Sequence, residues 1–168
     1  MIYLAIIIYA AAMTLANLSV AAFGPSITPI NAFVLIGLDL SLRNWLALTL
    51  KPWQMMLLIG ASAGLSYVLN PASGQIAMAS FIAFSASALA DWLTFSTISG
   101  RWLKRCLGGV AVGAAVDSLL FPTLAFGALL PALVAAQFVA KVAGGAIWAW
   151  MLSRLRPRRF PLASGATD

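Results

Sequence analysis

The chain has 168 residues, of which 62% are hydrophobic and 8% charged, with ten Lys and Arg against four acids and a net charge of +6. A soluble domain is about 45–50% apolar and about 25% charged, so this is the composition of an integral membrane protein. There is no His, no Glu and a single Cys, Cys106, which excludes an internal disulfide and any metal cluster and leaves little for side-chain catalysis.

Apolar runs close to the ~20 residues that cross a hydrocarbon core recur at about residues 1–22, 29–49, 53–69, 75–97, 106–126 and 131–152. They are continuous rather than alternating, which predicts helices and excludes a β-barrel. The first run has no positive flank and exceeds the about 7–15 residues of a signal h-region, so it is expected to stay as a helix. Turn chemistry separates the runs: "FGPSITP", "LKP", "NPASG", "SGRWLKR" and "GALLP". The expected fold is an all-α bundle of six transmembrane helices over residues 1–153. A basic tail at 154–168 follows, with "RLRPRRF" anchored at an anionic leaflet and "LASGATD" without structure.

Lys and Arg set the expected orientation. Arg43 and Lys51 fall in the connection after the second run, Arg101, Lys104 and Arg105 in that after the fourth, and Arg154, Arg156, Arg158 and Arg159 in the tail. The other connections carry none, so both termini are expected in the cytoplasm. Basic residues placed at span ends point to a lipid bilayer and not to nucleic acid as the charged partner. No GxxxxGK(S/T) loop is present, so the chain is not expected to hydrolyse ATP. Small residues four apart (Ala12 and Ala16, Gly60 and Gly64, Gly109 and Gly113) suit close helix packing, either within one subunit or in a homodimer.

Several polar residues fall inside the runs. Lys141, about ten residues into the last run, and Asp117, about a dozen into the fifth, reach similar depth at about 1.5 Å per residue, which makes them a candidate pair. Asp39 is followed one turn later by Arg43, and Asp91 sits in the fourth run. Asn17 lies deep in the first run, and Asn31 precedes Asp39 by eight residues, on roughly the same side. Ser80, Phe84, Ser87 and Asp91 form one helical stripe, and Gln137 precedes Lys141 by four so that the two side chains can meet. Each charge has a structural reading: Asp39 with Arg43 as a topology-fixing pair, Asp91 as a counter-charge, Asp117 with Lys141 as a buried ion pair. Ionisable groups at overlapping depths on four helices also fit a polar substrate path. Carboxylates, amides and an ammonium, with aromatic rings such as Phe33, Phe81 and Phe121 nearby, suit a small planar heterocycle bearing both donors and acceptors.

Four ordered blocks resemble a known family: "FVLIGLDLSLRNWL" at 33–46, "IAMASFIAFSASALAD" at 76–91, "GAAVDSLLFPTLAFG" at 113–127 and "QFVAK" at 137–141. In these the chain resembles the queuosine precursor transporters, the vitamin uptake transporter family. The resemblance implies import of a 7-deazaguanine base such as preQ0, preQ1 or queuine across the bacterial inner membrane. It also implies a fold similar to the substrate-binding components of energy-coupling-factor transporters and no cofactor. Carried over by position, Asp39, Arg43, Ser80, Asp91, Asp117, Ser118 and Lys141 are implied ligand or coupling residues, with Asp117 or Asp91 as the carboxylate that holds the base. Either the chain transports alone or it docks on a separate ATP-driven module; a non-transporting structural protein of the membrane is the remaining alternative.

Overall fold

Runs of Ala, Leu, Ile and Met closed by Pro and Gly fold as helices, because a bilayer offers no partner for an unpaired backbone N–H or C=O. The computed structural model describes residues 2–155, and no strand occurs among them. Helix α1 (Ile2–Phe23) leads into a 3-10 turn, Gly24–Ile27, where Gly24 takes φ of 70°, a left-handed conformation that suits glycine. The short α2 (Thr28–Asn31), a π-helical stretch (Ala32–Ile36) and α3 (Gly37–Leu46) follow without a break. Asn31 Nδ2 donates to the Ala16 carbonyl at 3.3 Å and to Ser19 Oγ at 2.7 Å, so the chain doubles back against α1.

The remaining helices are α4 (Pro52–Leu69), α5 (Gly74–Thr97), α6 (Trp102–Phe126) and α7 (Pro131–Leu155). Pro52 and Pro131 open their helices, where a missing N–H costs nothing. The backbone amide of Lys51 donates to Gln54 Oε1 at 2.8 Å and closes the start of α4. Gly127, with φ of 70°, ends α6.

Five segments are long and apolar enough to cross a membrane: Ile2–Leu46, Pro52–Leu69, Pro71–Thr97, Trp102–Phe126 and Pro131–Arg154. The sequence reading divides the first of these into two runs. The structure winds their "FGPSITP" connection into helical turns rather than an open loop, so 45 residues form one helical stretch that bends back on itself. Beyond Leu155, the basic tail lies outside the described residues. Arg154 is described, and its guanidinium stacks over the Trp150 ring at 5.0 Å.

Glycines set the closest helix contacts. A Cβ on Gly37 would sit 2.7 Å from the Gly144 carbonyl carbon, and one on Gly144 would run into the Phe33 backbone. A Cβ on Gly109 would strike the Asp91 carboxylate, and one on Gly113 would lie 3.3 Å from Arg43 Nη2. The small-residue pair Gly109 and Gly113 therefore serves packing inside the subunit. Gly64 has open space around it. Large apolar side chains such as Leu57, Val68, Val139 and Trp150 are exposed, whereas Asn17, Asp39, Arg43, Asp91, Asp117 and Lys141 are buried. This is the arrangement expected of a bundle with lipid outside and a polar interior.

Candidate functional site

The polar interior divides into two clusters and one group between them. The first cluster surrounds a central cavity lined by Asn17, Asn31, Ser80, Phe84, Asp117, Phe121, Gln137 and Lys141, together with Ala16, Val20, Thr28, Ala32 and Ile36. The cavity is narrow, with about 20 Å³ open to the centre of a water molecule.

The wall formed by α6 and α7 is built around Lys141, which is buried. Its ammonium lies 2.7 Å from Asp117 Oδ2, donates to Gln137 Oε1 at 2.8 Å and donates to Ser118 Oγ at 3.2 Å. An ammonium has three N–H donors, so all of them are used within the protein. Because Gln137 accepts through Oε1, its Nε2 is left over. Among the described residues, Gln137 Nε2 and Asp117 Oδ1 are buried polar atoms with no hydrogen-bond partner. Leaving such a group unpaired costs about 1–3 kcal/mol. Two of them, one donor and one acceptor, belong to neighbouring residues of one cavity wall.

The opposite wall is satisfied internally. Asn17 donates through Nδ2 to Ser66 Oγ at 3.1 Å and accepts from Ser80 Oγ through Oδ1. Asn31 is held by the α1 contacts already described. Phe84 and Phe121 add aromatic surface, and Phe126 packs edge-on against Phe121 with ring centroids 6.1 Å apart.

The second cluster lies on α3, α5 and α6. Arg43 Nε donates to Asp91 Oδ2 at 3.3 Å, Nη1 to the Phe84 carbonyl at 3.3 Å and Nη2 to Ser87 Oγ at 3.1 Å. Asn44 Nδ2 reaches both Asp91 oxygens at 3.0 Å, and Ser87 Oγ donates to the Gly113 carbonyl at 2.9 Å. The glycines at 109 and 113 make room for this network. A separate cavity of about 290 Å³ opens beside it, lined in part by Arg43, Asn44, Met55, Asp91 and Trp92.

Of the residues singled out from sequence, Asn17, Asn31, Ser80, Phe84, Asp117, Gln137 and Lys141 come together at the central cavity, with Ser118 behind Lys141. Arg43, Ser87 and Asp91 form the second cluster and do not line that cavity. Two expectations need correction. Arg43 is not a loop charge: it is buried and pairs with Asp91 from another helix rather than with Asp39 one turn back. Asp39 does not line the cavity with Asn31: eight helical residues at about 1.5 Å each carry it about 12 Å further along the stretch.

Asp39 itself is fully buried, and neither carboxylate oxygen has a hydrogen-bond partner. The Tyr9 hydroxyl is close enough to interact with it, but completes no hydrogen bond either. Sequence reasoning missed Tyr9, Asn44 and Ser66. Asn44 adjoins Arg43 in "LRNW" and Tyr9 is a phenol inside an apolar run, so both carry a polar signal that shows its use only once partner helices are placed.

A family model described as "Putative vitamin uptake transporter" matches residues 2–155. No curated protein and no solved structure matches the chain.

Proposed function

The chain belongs to the family of vitamin uptake transporters, and on that premise we propose that it imports a 7-deazaguanine base across the bacterial inner membrane, holding the base in the central cavity. The observation that carries this reading is the pair of unpartnered atoms, Asp117 Oδ1 and Gln137 Nε2, on one wall of that cavity. A 7-deazaguanine edge offers ring and exocyclic N–H donors to the carboxylate oxygen and a carbonyl oxygen to the amide. Each such hydrogen bond would satisfy a group that has no partner within the protein. Phe84 and Phe121 supply faces for the flat ring.

In this reading Lys141 does not touch the base. It is a positioning residue, directing Asp117 and Gln137 toward the cavity and offsetting the Asp117 charge. Ser118 holds Lys141 in turn. The narrow free space of about 20 Å³ corresponds to a closed state, and helices must part before a base enters or leaves. The chain would cross the membrane six times, with the Ile2–Leu46 stretch making two passes that reverse near Gly24, and both termini would face the cytoplasm. The Arg43–Asp91 network would then stand between the central cavity and the cytoplasmic side.

The test is uptake by the purified chain reconstituted alone in liposomes. Labelled 7-cyano-7-deazaguanine should enter vesicles containing the wild type. Asp117→Asn, which keeps the shape but removes the charged acceptor, should lose most of that uptake while reaching the membrane in normal amount. If D117N instead fails to accumulate in the membrane while the wild type moves no base, Asp117 and Lys141 are a structural ion pair only.

A further inference from the structure

The two clusters leave one ionisable group unaccounted for. Five Asp, Arg and Lys side chains are buried in the described interior: Asp39, Asp91, Asp117, Arg43 and Lys141. Arg43 pairs with Asp91 and Lys141 with Asp117, so Asp39 is a surplus carboxyl. It is fully buried, and both of its oxygens lack partners. Its charged and titratable neighbours are Tyr9 from α1, Asp91 from α5, Asp117 from α6 and Arg43 from its own helix. On α7 the buried titratable group is Lys141, which is held by Asp117. Two of those neighbours are carboxylates, and the one nearby cation is already bound to Asp91.

An uncompensated carboxylate buried in this way costs several kcal/mol, and the neutral acid costs less. Asp39 also lies within electrostatic reach of both clusters, Asp117 at the cavity and the Arg43–Asp91 pair beyond it. We propose that Asp39 is a proton-binding site and that base uptake is coupled to proton entry through it. The coupling half of this proposal rests on the transport reading; the proton-binding half does not. In the cycle, a proton from water on the outer side adds to a carboxylate oxygen of Asp39 and forms the neutral acid. The same O–H bond breaks when the site opens inward, returning the carboxylate and delivering the proton to cytoplasmic water. No bond of the base changes and no electrons are transferred. Tyr9, facing the carboxyl, donates its O–H to the ionised form during the part of the cycle in which water reaches the site.

Two measurements on the purified full chain test this. The first needs no base. Infrared spectra of the wild type near neutral pH should show the carbonyl stretch of a protonated carboxylic acid, and Asp39→Asn should remove it. Absence of that band in the wild type, or its survival in D39N, overturns the proton site. The second uses liposomes with the membrane potential clamped and an inside-alkaline gradient of about one pH unit, for which one proton per base supports at most about tenfold accumulation. Labelled 7-cyano-7-deazaguanine should accumulate in wild-type vesicles. D39N vesicles should exchange the base across the membrane but never concentrate it. Accumulation that ignores the pH gradient, or that follows a sodium gradient instead, overturns the coupling. If D39N does not reach the membrane, Tyr9→Phe replaces it: the acid band should persist with a displaced pH midpoint, and an unmoved midpoint counts against the site. If no vesicle moves the base at all, the transport reading fails and the coupling with it, while the infrared band still decides whether Asp39 binds a proton.

Discussion

Lys141 places all three of its donors on protein groups, and this decides which atoms are left for a ligand. Sequence reasoning counted the ammonium among the groups open to a bound heterocycle. The pairing of Asp117 with Lys141 was legible, because equal depth on two helices is simple arithmetic. The division of labour was not, since it depends on Gln137 and Ser118 closing around the same nitrogen. Arg43 shows the opposite case. An acid four residues earlier on the same helix offers an obvious partner, yet the guanidinium extends to α5 and binds Asp91, Ser87 and the Phe84 carbonyl. Arg43→Ala should therefore leave Asp91 buried with only Asn44, and should cost about 3–5 kcal/mol. Thermal unfolding in detergent would read this as a clear loss of stability. The double variant Arg43→Ala with Asp91→Ala should lose less than the two single losses combined, because the sites share one interaction.

At the scale of the element, glycine positions separate internal contacts from open faces. Gly144 meets the Phe33 backbone and Gly109 meets the Asp91 carboxylate, whereas Gly64 meets nothing within 4 Å. Gly144→Ala and Gly109→Ala should each destabilise the detergent-solubilised protein by about 1–3 kcal/mol through overpacking. Gly64→Ala should leave its unfolding temperature nearly unchanged. The three glycines look alike in sequence, and the small-xxx-small pattern does not tell which of them touches another helix. The π-helical stretch carries the same lesson. Periodicity counted at 3.6 residues put Asn31 and Asp39 on one side, but the chain passes through a π-helical turn at Ala32–Ile36 and only Asn31 lines the cavity, about 12 Å along the stretch from Asp39. A local change of helix type leaves no mark in a run of "AFVLI".

For the whole molecule, the composition was sufficient to place an all-helical chain in a membrane, and the blocks at 33–46, 76–91, 113–127 and 137–141 were sufficient for the family. How the first 45 residues are arranged was less legible, because Gly24 and Pro25 interrupt the apolar pattern while the backbone stays helical. Burial of Arg43 takes one charge from the positive-inside count, whereas Lys51, Arg101, Lys104 and Arg105 stay at the starts of α4 and α6, the ends that the proposed topology turns to the cytoplasm. Exposed positions in the connections test that orientation. In intact cells, Ser26→Cys should react with a membrane-impermeant thiol reagent, and Ser99→Cys should react only after the membrane is opened. The native Cys106 is fully buried and should stay silent in both cases.

The central claim is that a 7-deazaguanine base is held by Asp117 and Gln137 in the cavity of a self-sufficient transporter. Uptake of labelled 7-cyano-7-deazaguanine into liposomes containing only the purified chain tests it most directly. Time-dependent uptake by the wild type, lost in D117N of equal abundance, is the predicted result. Wild-type vesicles that take up no more base than empty liposomes would contradict it.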